Sequence, residues 1–571
     1  MSPLMWDVWE RKAREQPVRE AIVHWDAIEA PHVWTRSALL DAALRAGTWL
    51  AEAGLDTGEV CALVLRHHRA FYPVYMGVSS LGAIPAVLAY PNPRLHPEKF
   101  AHGLLGMAER SGLDWIFTTR DLEPSIRPLV VHGKSSIKGI FLLEECERGG
   151  VIGSEPRPDL LERKRTAVRP SDPFLVQHSS GTTGLQKPVA LSHTAVLEHV
   201  ERYAEAIRLS DADKVASWLP LYHDMGLIAA LHLPMARGVP LIQIDPFQWV
   251  TAPVLLFNVI SEVGATLCWL PNFAYNFMAD RIRDEDMEGV RLDSVRMFIN
   301  CSEPVRADSH DKFYARFSPF GVRRDGLAAC YAMAETTFAA TQTEPDAQAT
   351  RMIVDREAIA RGIVALAGEE GSGRVCVSSG KAIPGCELKI VDEAGDTLPG
   401  DRVGEIMVAS VSLFDGYRNY PEKTADVLSD GWYATGDYGF LHEGNWYVIG
   451  RKKDIIISAG KNIYPEDVED AVNQVEGVLP GRVVAFGSED PAEGTEHVCV
   501  VAETAFDGEP EKKRLRMNIL RAGMAMDVTI SRVYLVPPRW LIKSSAGKPS
   551  RKANRERVLA MAPGGSGDRT E

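Results

Sequence analysis

The chain has 571 residues, more than one hydrophobic core accommodates, and this length predicts about three domains or subdomains. Its composition, with 45% hydrophobic and 25% charged residues, is that of an ordinary globular protein and excludes a largely disordered chain. The net charge of -14 argues against nucleic acid as the main partner, because phosphate backbones are bound by concentrated lysine and arginine.

The eight cysteines are scattered along the chain, and none forms a Cys-x-x-Cys pair. This pattern indicates neither a zinc site nor a disulfide framework, and it predicts a protein of the reducing cytoplasm. Residues 1–16 mix acidic, basic and tryptophan side chains, unlike a signal peptide. The tail from about residue 563 is rich in glycine and polar residues, and we expect it to be disordered.

Helical and strand patterns alternate in the first part of the chain. Residues 35–53 have the period of an amphipathic helix, and short apolar strands are predicted at 60–65, 84–87, 115–117, 139–143 and 175–176. This alternation favours a layered α/β fold with a largely parallel sheet. Residues 70–93 carry no charge and are long enough for a membrane span, but four prolines interrupt them, so we expect a buried helix and strand and no membrane insertion.

The pattern changes at about residue 374. Short strands separated by Gly, Pro and Asp turns predict a small β-rich subdomain over about 374–450. After a charged joint at 450–454, an α+β module is expected up to about residue 559, with helices at 465–475 and about 510–524.

A hydroxyl- and glycine-rich loop follows the apolar run at 175–176. It contains a set of candidate phosphate ligands: Ser179, Ser180, Gly181, Thr182, Thr183, Gly184 and Lys187. Its backbone N–H groups, hydroxyls and lysine suit a polyphosphate, although the spacing is not that of a Walker P-loop. We expect it between a strand and a helix at 194–207. A plain flexible surface loop is the alternative.

Six further segments combine turn residues with polar or aromatic side chains. They lie at 218–226 (Trp-Leu-Pro-Leu-Tyr-His-Asp-Met-Gly), 271–275, 300–304, 331–335, 435–437 and 544–551. In this order, and with the glycine-rich loop, they resemble the adenylate-forming (AMP-binding) superfamily over about residues 5–556. The 218–226 segment, Pro-Asn-Phe-Ala-Tyr at 271–275 and the alanine before Glu335 are most similar to the fatty acyl-AMP ligases.

The resemblance implies a domain organisation. An N-terminal AMP-binding domain is expected over 1–452, including the β-rich subdomain, and a mobile C-terminal domain over 453–571. The stretch from Glu335 to the turn at 380–384 is longer than in ordinary acyl-CoA synthetases. The extra stretch lies at about 351–373, and its residues 356–367 have a helical pattern. In acyl-AMP ligases an insertion at this place packs against the large domain and restricts the swing of the small domain. An inert surface elaboration is the alternative.

The resemblance also implies a reaction. A hydrophobic carboxylic acid would attack the α-phosphate of ATP with Mg²⁺, release pyrophosphate and leave an acyl-adenylate. The acyl group would then pass to the phosphopantetheine thiol of an acyl carrier protein. The alternatives are a CoA thioester or a non-catalytic nucleotide-binding homologue. The acid is expected to be a medium- or long-chain fatty acid, and a bulky alicyclic or aromatic acid is equally compatible.

The matching positions have implied roles at the nucleotide. The glycine-rich loop would hold the β- and γ-phosphates, Glu335 would bind Mg²⁺, and Asp437 would accept the ribose hydroxyls. Arg451 would lie near the ribose or phosphates. Tyr331 would stack on the adenine, the backbone of Ser302, Glu303 and Pro304 would line it, and Ala332, Met333 and Ala334 would belong to the same ATP-binding set. The alternatives are a solvated surface carboxylate for Glu335, a core tyrosine for Tyr331, a turn-forming aspartate for Asp437 and a surface role for Arg451.

The remaining roles concern the acid and the second domain. Lys548 would bridge the attacking carboxylate and the α-phosphate, unless it belongs to a generic basic tail. His223 would lie at the mouth of the acyl pocket or act as a packed structural histidine. Lys453 would be the hinge and Gly460 would line the acceptor tunnel, with an ordinary linker role as the alternative. Pro188, His178 and Ala332 depart from the family pattern and leave the phosphate contacts of the loop in doubt.

Overall fold

The computed structural model describes residues 3–91, 97–130, 135–179, 186–367, 373–458, 461–490, 495–526, 528–543 and 549–561. Two large sheets dominate the first two thirds of the chain, as the predicted α/β pattern requires. The fold class is confirmed.

The larger sheet has nine strands with a parallel centre and antiparallel edges. In spatial order its strands are Lys381–Ala382, Ala339–Gln342, Leu327–Ala332, Met297–Cys301, Leu267–Pro271, Val215–Ser217, Leu241–Ile244, Glu20–Trp25 and His32–Thr35. The central strands are buried along their whole length, as expected for a parallel sheet covered on both faces.

The second sheet has seven strands. In spatial order they are Gly416–Tyr417, Lys187–Ser192, Pro173–Ser179, Ile84–Val87, Val60–Val64, Leu113–Thr118 and Gly139–Leu142. The predicted strands at 60–65, 84–87 and 139–143 are confirmed to within a residue or two. The helix Phe71–Ser80 that precedes Ile84–Val87 is buried at every position.

One local expectation is wrong. The strand Pro173–Ser179 is followed across residues 180–185 by a second strand, Lys187–Ser192, which pairs antiparallel to it with Lys187 opposite Ser179. The expected helix, His193–Ala206, comes only after this second strand. The glycine-rich loop therefore connects the strands of a hairpin, because the apolar run Val189–Leu191 forms a buried strand before the helix begins.

Helices cover the faces of both sheets. The longer ones are Met5–Glu15, Arg36–Glu52, Phe71–Ser80, Pro97–Ser111, Pro158–Arg165, His193–Ala206, Val254–Val263, Asn272–Arg281 and Ala307–Phe317. Shorter helices are Glu123–Ile126, Leu143–Cys146, Leu233–Arg237, Pro246–Thr251, Arg356–Ala360 and Pro421–Ala425, and Met225–His232 is a π-helix. No helix in the described part of the chain is long and apolar enough to cross a bilayer.

The β-rich segment forms an antiparallel sheet of five strands: Cys386–Val391, Gly404–Ser410, Trp432–His442, Leu428–Ser429 and Asn445–Arg451. The strand Gly373–Val377 lies outside it and pairs with Arg351–Asp355. The helix predicted at 356–367 ends at Ala360, because the chain turns at Gly362, whose φ of +77° favours glycine.

The last part of the chain has its own sheets and hydrophobic cores. Ile456–Ser458 pairs with Lys461–Ile463, and a three-stranded sheet contains Val483–Asp490, Thr495–Glu503 and Ile530–Val536. The helices Pro465–Asn473, Glu509–Met524 and Arg551–Met561 pack around them. The helices predicted at 465–475 and about 510–524 are confirmed.

Gly226 lies at the start of the π-helix, where the chain passes close to its own backbone. A Cβ at this position would lie 2.3 Å from the carbonyl oxygen of Pro220. We expect Gly226→Ala to destabilise the protein by about 1–3 kcal/mol, because backbone atoms cannot move aside as a flexible side chain can. Urea unfolding measures this difference.

Gly103 provides the matched control, since it lies in the helix Pro97–Ser111 with open space around a Cβ. Gly103→Ala should be neutral or stabilising by up to about 1 kcal/mol, because alanine favours helices. Equal destabilisation by both variants would contradict the proposed steric conflict at Gly226.

Buried histidines predict loss of stability in mild acid. Burial lowers the pKa of His178 and His193 to about 4, and that of His199, His232 and His310 to about 3. The unfolded chain, with histidine pKa values of about 6.5, binds protons that the folded chain does not, so folding stability falls as pH falls below that value.

The histidine at position 178 tests this dependence. Between pH 7.5 and pH 5.5 each such histidine should cost about 1.4 kcal/mol of unfolding free energy. His178→Gln should reduce the loss of urea-derived stability between these two pH values by about 1.4 kcal/mol, or about half a bound proton on average, whatever its effect at pH 7.5. An unchanged loss would show that His178 binds protons equally in the folded and unfolded chains.

Candidate active site

The carboxyl ends of parallel strands from both large sheets meet at one cleft. In the nine-stranded sheet the neighbouring strands end at Ile244, Ser217, Pro271, Cys301 and Ala332. In the seven-stranded sheet, Pro173–Ser179 and its parallel neighbour Ile84–Val87 end on the same side. The Gln177 side-chain amide donates to the Tyr222 carbonyl oxygen (3.1 Å) and so joins the two edges. Ligands of α/β sheets bind at such edges.

Glu335 lies at this edge beside a lysine and a tyrosine. The Tyr417 hydroxyl donates to Glu335 Oε1 (2.7 Å), and Lys187 Nζ donates to the Tyr417 hydroxyl oxygen (3.0 Å). Lys187 Nζ is 3.9 Å from the same carboxylate oxygen. Burial lowers the pKa of Lys187, and the Glu335 charge opposes this shift. The structure thus brings together Lys187 and Glu335, two residues predicted from distant motifs.

Tyr417 was not predicted as a site residue. It lies on the short strand Gly416–Tyr417, whose pairing with Val189 extends the hairpin of the glycine-rich loop. Burial and the Glu335 carboxylate raise its pKa. Its only signal in the sequence is an aromatic residue after Gly416 in a polar turn, which is too common a pattern to indicate a site.

A second group of polar side chains connects the cleft between the two sheets to the β-rich segment. The Tyr331 hydroxyl donates to Asp437 Oδ2 (2.6 Å), and Arg451 Nε is 3.3 Å from Asp437 Oδ1. Asp437 and Arg451 are opposite each other on adjacent strands, and Thr435 Oγ1 accepts from the Asp437 backbone N–H (3.0 Å). The Asp437 charge raises the pKa of Arg451 and, together with burial, that of Tyr331.

The segment 302–304 follows the strand Met297–Cys301. Ser302 has a φ of +68°, in the left-handed region that serine rarely adopts. The Glu303 carboxylate accepts from the Phe273 backbone N–H (2.8 Å) and so caps the helix Asn272–Arg281. This contact of the Glu303 side chain with a helix was not predicted. Pro304 follows in the same turn.

Backbone strain also occurs next to Glu335. Ala332 ends a strand, Met333 follows it, and Ala334–Thr336 is a single 3₁₀ turn. Thr337, which is fully buried, has a φ of +67° and donates from Oγ1 to the Ser412 carbonyl oxygen (2.8 Å). Strained conformations cluster at functional sites, where the surrounding structure maintains them.

His223 lies in the turn that Gln177 anchors. Its Nδ1 is 2.6 Å from Asp224 Oδ1, and the Asp224 carboxylate also accepts from the Met225 backbone N–H (2.8 Å) at the start of the π-helix. An imidazole held through Nδ1 presents Nε2 in a defined direction. π-Helices are rare and often occur at functional sites.

The predicted hinge, Lys453, also lies near Asp437 and Arg451. Lys453 lies in the 3₁₀ turn Lys452–Asp454, directly after the strand that ends at Arg451. Burial, with the nearby Arg451 charge, lowers the pKa of Lys453 to about 8. Lysines 187 and 453 and Arg451 thus surround the two carboxylates with positive charge, an arrangement suited to a polyphosphate.

Several predicted residues lie outside the described residues: Ser180, Gly181, Thr182, Thr183, Gly184, Gly460 and Lys548. Of Ser179, the structure describes the backbone, at the end of its strand. The flanks of the Lys548 segment are described. Arg551 is 2.8 Å from each of Asp454, Glu466 and Glu469, so the end of this segment is attached to the residue next to the hinge.

Glu335 fits a magnesium site made partly by the nucleotide. Its Oε2 makes no hydrogen bond within the described part of the chain, and Glu335 as a whole residue is only 5% exposed. Mg²⁺ is commonly held by one or two carboxylates together with substrate phosphates. No cluster of three or more His, Cys, Asp or Glu side chains suited to a metal occurs among the described residues.

Comparison with known proteins identifies relatives over most of the chain. The family model described as AMP-binding enzyme matches residues 9–418. The chain is 30% identical to "Probable long-chain-fatty-acid–AMP ligase FadD30" of Mycobacterium tuberculosis, over 84% of each chain. It is 31% identical to the medium-chain-fatty-acid–[acyl-carrier-protein] ligase JamA of Moorena producens, over 73% of each.

A solved structure from a study of fatty acyl-adenylate ligases of E. coli and L. pneumophila has the same fold. It superposes with a TM-score of 0.87 over 98% of this chain and 99% of that chain, at 23% identity. The chain belongs to the AMP-binding enzyme family: it is a ligase with the adenylate-forming fold, similar to the fatty acyl-AMP ligases.

Proposed function

We propose that the protein activates a hydrophobic carboxylic acid with ATP, releasing pyrophosphate and forming an acyl-adenylate, and then transfers the acyl group to the phosphopantetheine thiol of an acyl carrier protein. The observation that carries the first step is the meeting of two groups at one cleft. Lys187, Tyr417 and Glu335 form the first, and Tyr331, Asp437 and Arg451 form the second.

The second group suits the nucleoside. Asp437 has two carboxylate oxygens, each able to accept more than one hydrogen bond, so ribose hydroxyls can bind beside Tyr331 and Arg451. Tyr331 lies at the end of its strand next to Ser302, where the adenine would bind along Ser302–Pro304 and Ala332–Ala334. Arg451, charged at every physiological pH, would offset the phosphate charge.

The first group suits the phosphates. The glycine-rich loop would hold the β- and γ-phosphates, with Lys187 at its end. Glu335 would hold Mg²⁺, which when bound neutralises phosphate charge. Tyr417 keeps the Glu335 carboxylate oriented and separates it from Lys187, which limits the direct ion pairing that would compete with a phosphate.

The attacking acid is an anion, so positive charge must offset its repulsion from the α-phosphate. We assign this role to Lys548, whose segment is tied through Arg551 to Asp454, next to the hinge. His223, oriented by Asp224, would contact the carboxylate at the mouth of the acyl pocket. These groups bind and orient the reactants, and release of pyrophosphate completes the exchange of one anhydride bond for another.

We propose two domains, 1–452 and 453–571, that move about Lys453. The separate cores of the two parts support this division: the last sheets pack around their own valine and isoleucine clusters. Within the first domain, about 374–450 would be the β-rich subdomain. Gly460 would line the acceptor tunnel after the swing, which would gate the second half-reaction.

The insertion at about 351–373 supports a carrier as acceptor. Its strand Arg351–Asp355 pairs with Gly373–Val377, and their side chains share a hydrophobic cluster with Phe440, Tyr447 and Tyr464. Tyr464 belongs to the C-terminal part, so this cluster spans both proposed domains.

Arg374 makes the polar contacts across the same boundary. It is 3.1 Å from the Asp467 carboxylate, donates to the Ile449 carbonyl oxygen (2.8 Å) and lies 4.9 Å from the Tyr464 ring centre. A second ion pair joins Arg306 to Asp470. Contacts of this kind oppose the swing of the C-terminal domain that CoA ligation requires, and a carrier protein could offset them through its own binding energy.

Lys548→Ala tests the catalytic assignment. We expect acyl-adenylate formation to fall by at least about a hundredfold, since the variant lacks the charge that offsets two anions, while ATP binding stays nearly unchanged. Acid-dependent pyrophosphate release and calorimetric ATP binding measure the two effects. Lys552→Ala, which removes a cation four residues away that contacts Glu556, is the control. Near-normal adenylation by Lys548→Ala would contradict the role.

The acceptor is tested by supplying either CoA or a holo-acyl carrier protein with acid and ATP. We expect thioester formation on the carrier to exceed that on CoA by at least about tenfold, or about 1.4 kcal/mol. Arg374→Met should raise CoA thioester formation, because it removes the Asp467 ion pair but keeps an apolar stem beside Tyr464. Arg361→Met, at a surface ion pair of the same segment, is the matched control.

Rapid CoA thioester formation by the wild type would favour the alternative, an acyl-CoA ligase. An unchanged CoA rate in Arg374→Met, together with strong carrier preference, would exclude Arg374 as the restraint.

A further inference from the structure

The edge of the nine-stranded sheet continues beyond the nucleotide-side residues. Passing from the strand of Tyr331, the next strands end at Cys301, Pro271 and Ser217, followed by Ile244. Neighbouring strands are about 4.8 Å apart, so Trp218 lies about 14 Å along the edge from Tyr331. His223, the proposed contact of the acid's carboxylate, follows Trp218 in the same segment at this edge.

Two tryptophans occupy this part of the edge. The Trp218 and Trp249 rings are stacked with centroids 3.6 Å apart and planes 5° apart. They come from the segments that follow two neighbouring strands, Val215–Ser217 and Leu241–Ile244. Both residues are buried, and Trp249 is completely so. The stack fills the space between these two strand ends with rigid rings.

A phenylalanine covers the stack on its nucleotide side. The Phe273 ring is edge-on to both tryptophans, with centroids 6.2 Å from each, and is 41% exposed. Its backbone N–H donates a hydrogen bond to the carboxylate of Glu303, the residue after Ser302. Behind it, Phe277 contacts Trp249 at 5.4 Å. The exposed face of Phe273 is thus fixed between the nucleotide segment and the tryptophans.

A further aromatic pair joins the two sheets at the far end. Tyr90 follows the strand Ile84–Val87 of the seven-stranded sheet, and its ring centroid is 6.0 Å from that of Phe247, which follows Leu241–Ile244 of the other. Tyr90 is buried, whereas Phe247 is 44% exposed. The pair brings the two carboxyl edges into contact beyond the tryptophan stack.

We propose that Trp218, Trp249, Phe273, Phe247 and Tyr90 form an aromatic wall that selects a compact, ring-bearing carboxylic acid over a long straight-chain fatty acid. The inference rests on the proposed acid activation and names the substrate class of that site. An aromatic ring gains edge-to-face contact with fixed rings, which a flexible alkyl chain does not. A long chain must displace the Tyr90–Phe247 contact, and it also loses more rotational freedom when bound.

The test compares two acids in one enzyme preparation. Acid-dependent pyrophosphate release is measured with 3-phenylpropanoate and with dodecanoate, and the result is the ratio of their kcat/KM values. This ratio is independent of the fraction of active protein. We expect it to favour the ring-bearing acid by at least about tenfold, the scale on which apolar pockets discriminate.

Two variants open the wall. Trp249→Leu and Phe273→Leu should each shift the ratio at least about tenfold toward dodecanoate. Phe273 is partly exposed, so its variant is expected to fold even if the loss of buried Trp249 prevents folding. Trp115→Leu is the matched control, because Trp115 stacks on Phe141 in the seven-stranded sheet and does not belong to the wall. It should leave the ratio unchanged.

The outcomes separate the two claims. A wild-type ratio that favours dodecanoate, or a ratio that Phe273→Leu and Trp115→Leu change equally, overturns the aromatic wall and leaves acid activation intact. Absence of pyrophosphate release with every acid overturns the proposed function itself.

Discussion

The convergence of two sheets at their carboxyl edges is the constraint on which the candidate site depends. Five parallel strands of the nine-stranded sheet deliver turns to one edge, and the hairpin of the seven-stranded sheet faces them. Residues more than 200 positions apart in the chain, such as Lys187 and Tyr417, therefore become neighbours. In the proposed reaction these turns and the hairpin would together contact the nucleotide, its phosphates, the acid's carboxylate and its carbon chain.

Charge is arranged around this edge so that each carboxylate has a partner and retains capacity for a ligand. Glu335 Oε1 accepts a hydrogen bond from Tyr417. Asp437 Oδ2 accepts one from Tyr331, and Asp437 Oδ1 forms an ion pair with Arg451. The tyrosine hydroxyl groups thus orient both carboxylates, while Lys187 and Arg451 place positive charge beside them.

Much of the fold and part of the site could be predicted from the sequence. Local patterns identified the strand Ile84–Val87 and the helix after Thr35, because apolar period and capping are local properties. Glu335 and Asp437 were candidates because the segments that contain them resemble motifs of the adenylate-forming superfamily. The strand Lys187–Ser192 was missed, since its pairing partner decides its conformation, and Tyr417 was missed because only the folded sheet brings it to Glu335.

The most direct test of the account is the exchange of labelled pyrophosphate into ATP, catalysed by the full-length protein in the presence of a carboxylic acid. Acyl-adenylate formation is reversible, so the account predicts exchange that requires the acid and is lost in Glu335→Gln. Exchange without acid, or no exchange with straight-chain, alicyclic and aromatic acids by folded protein that binds ATP, would contradict it.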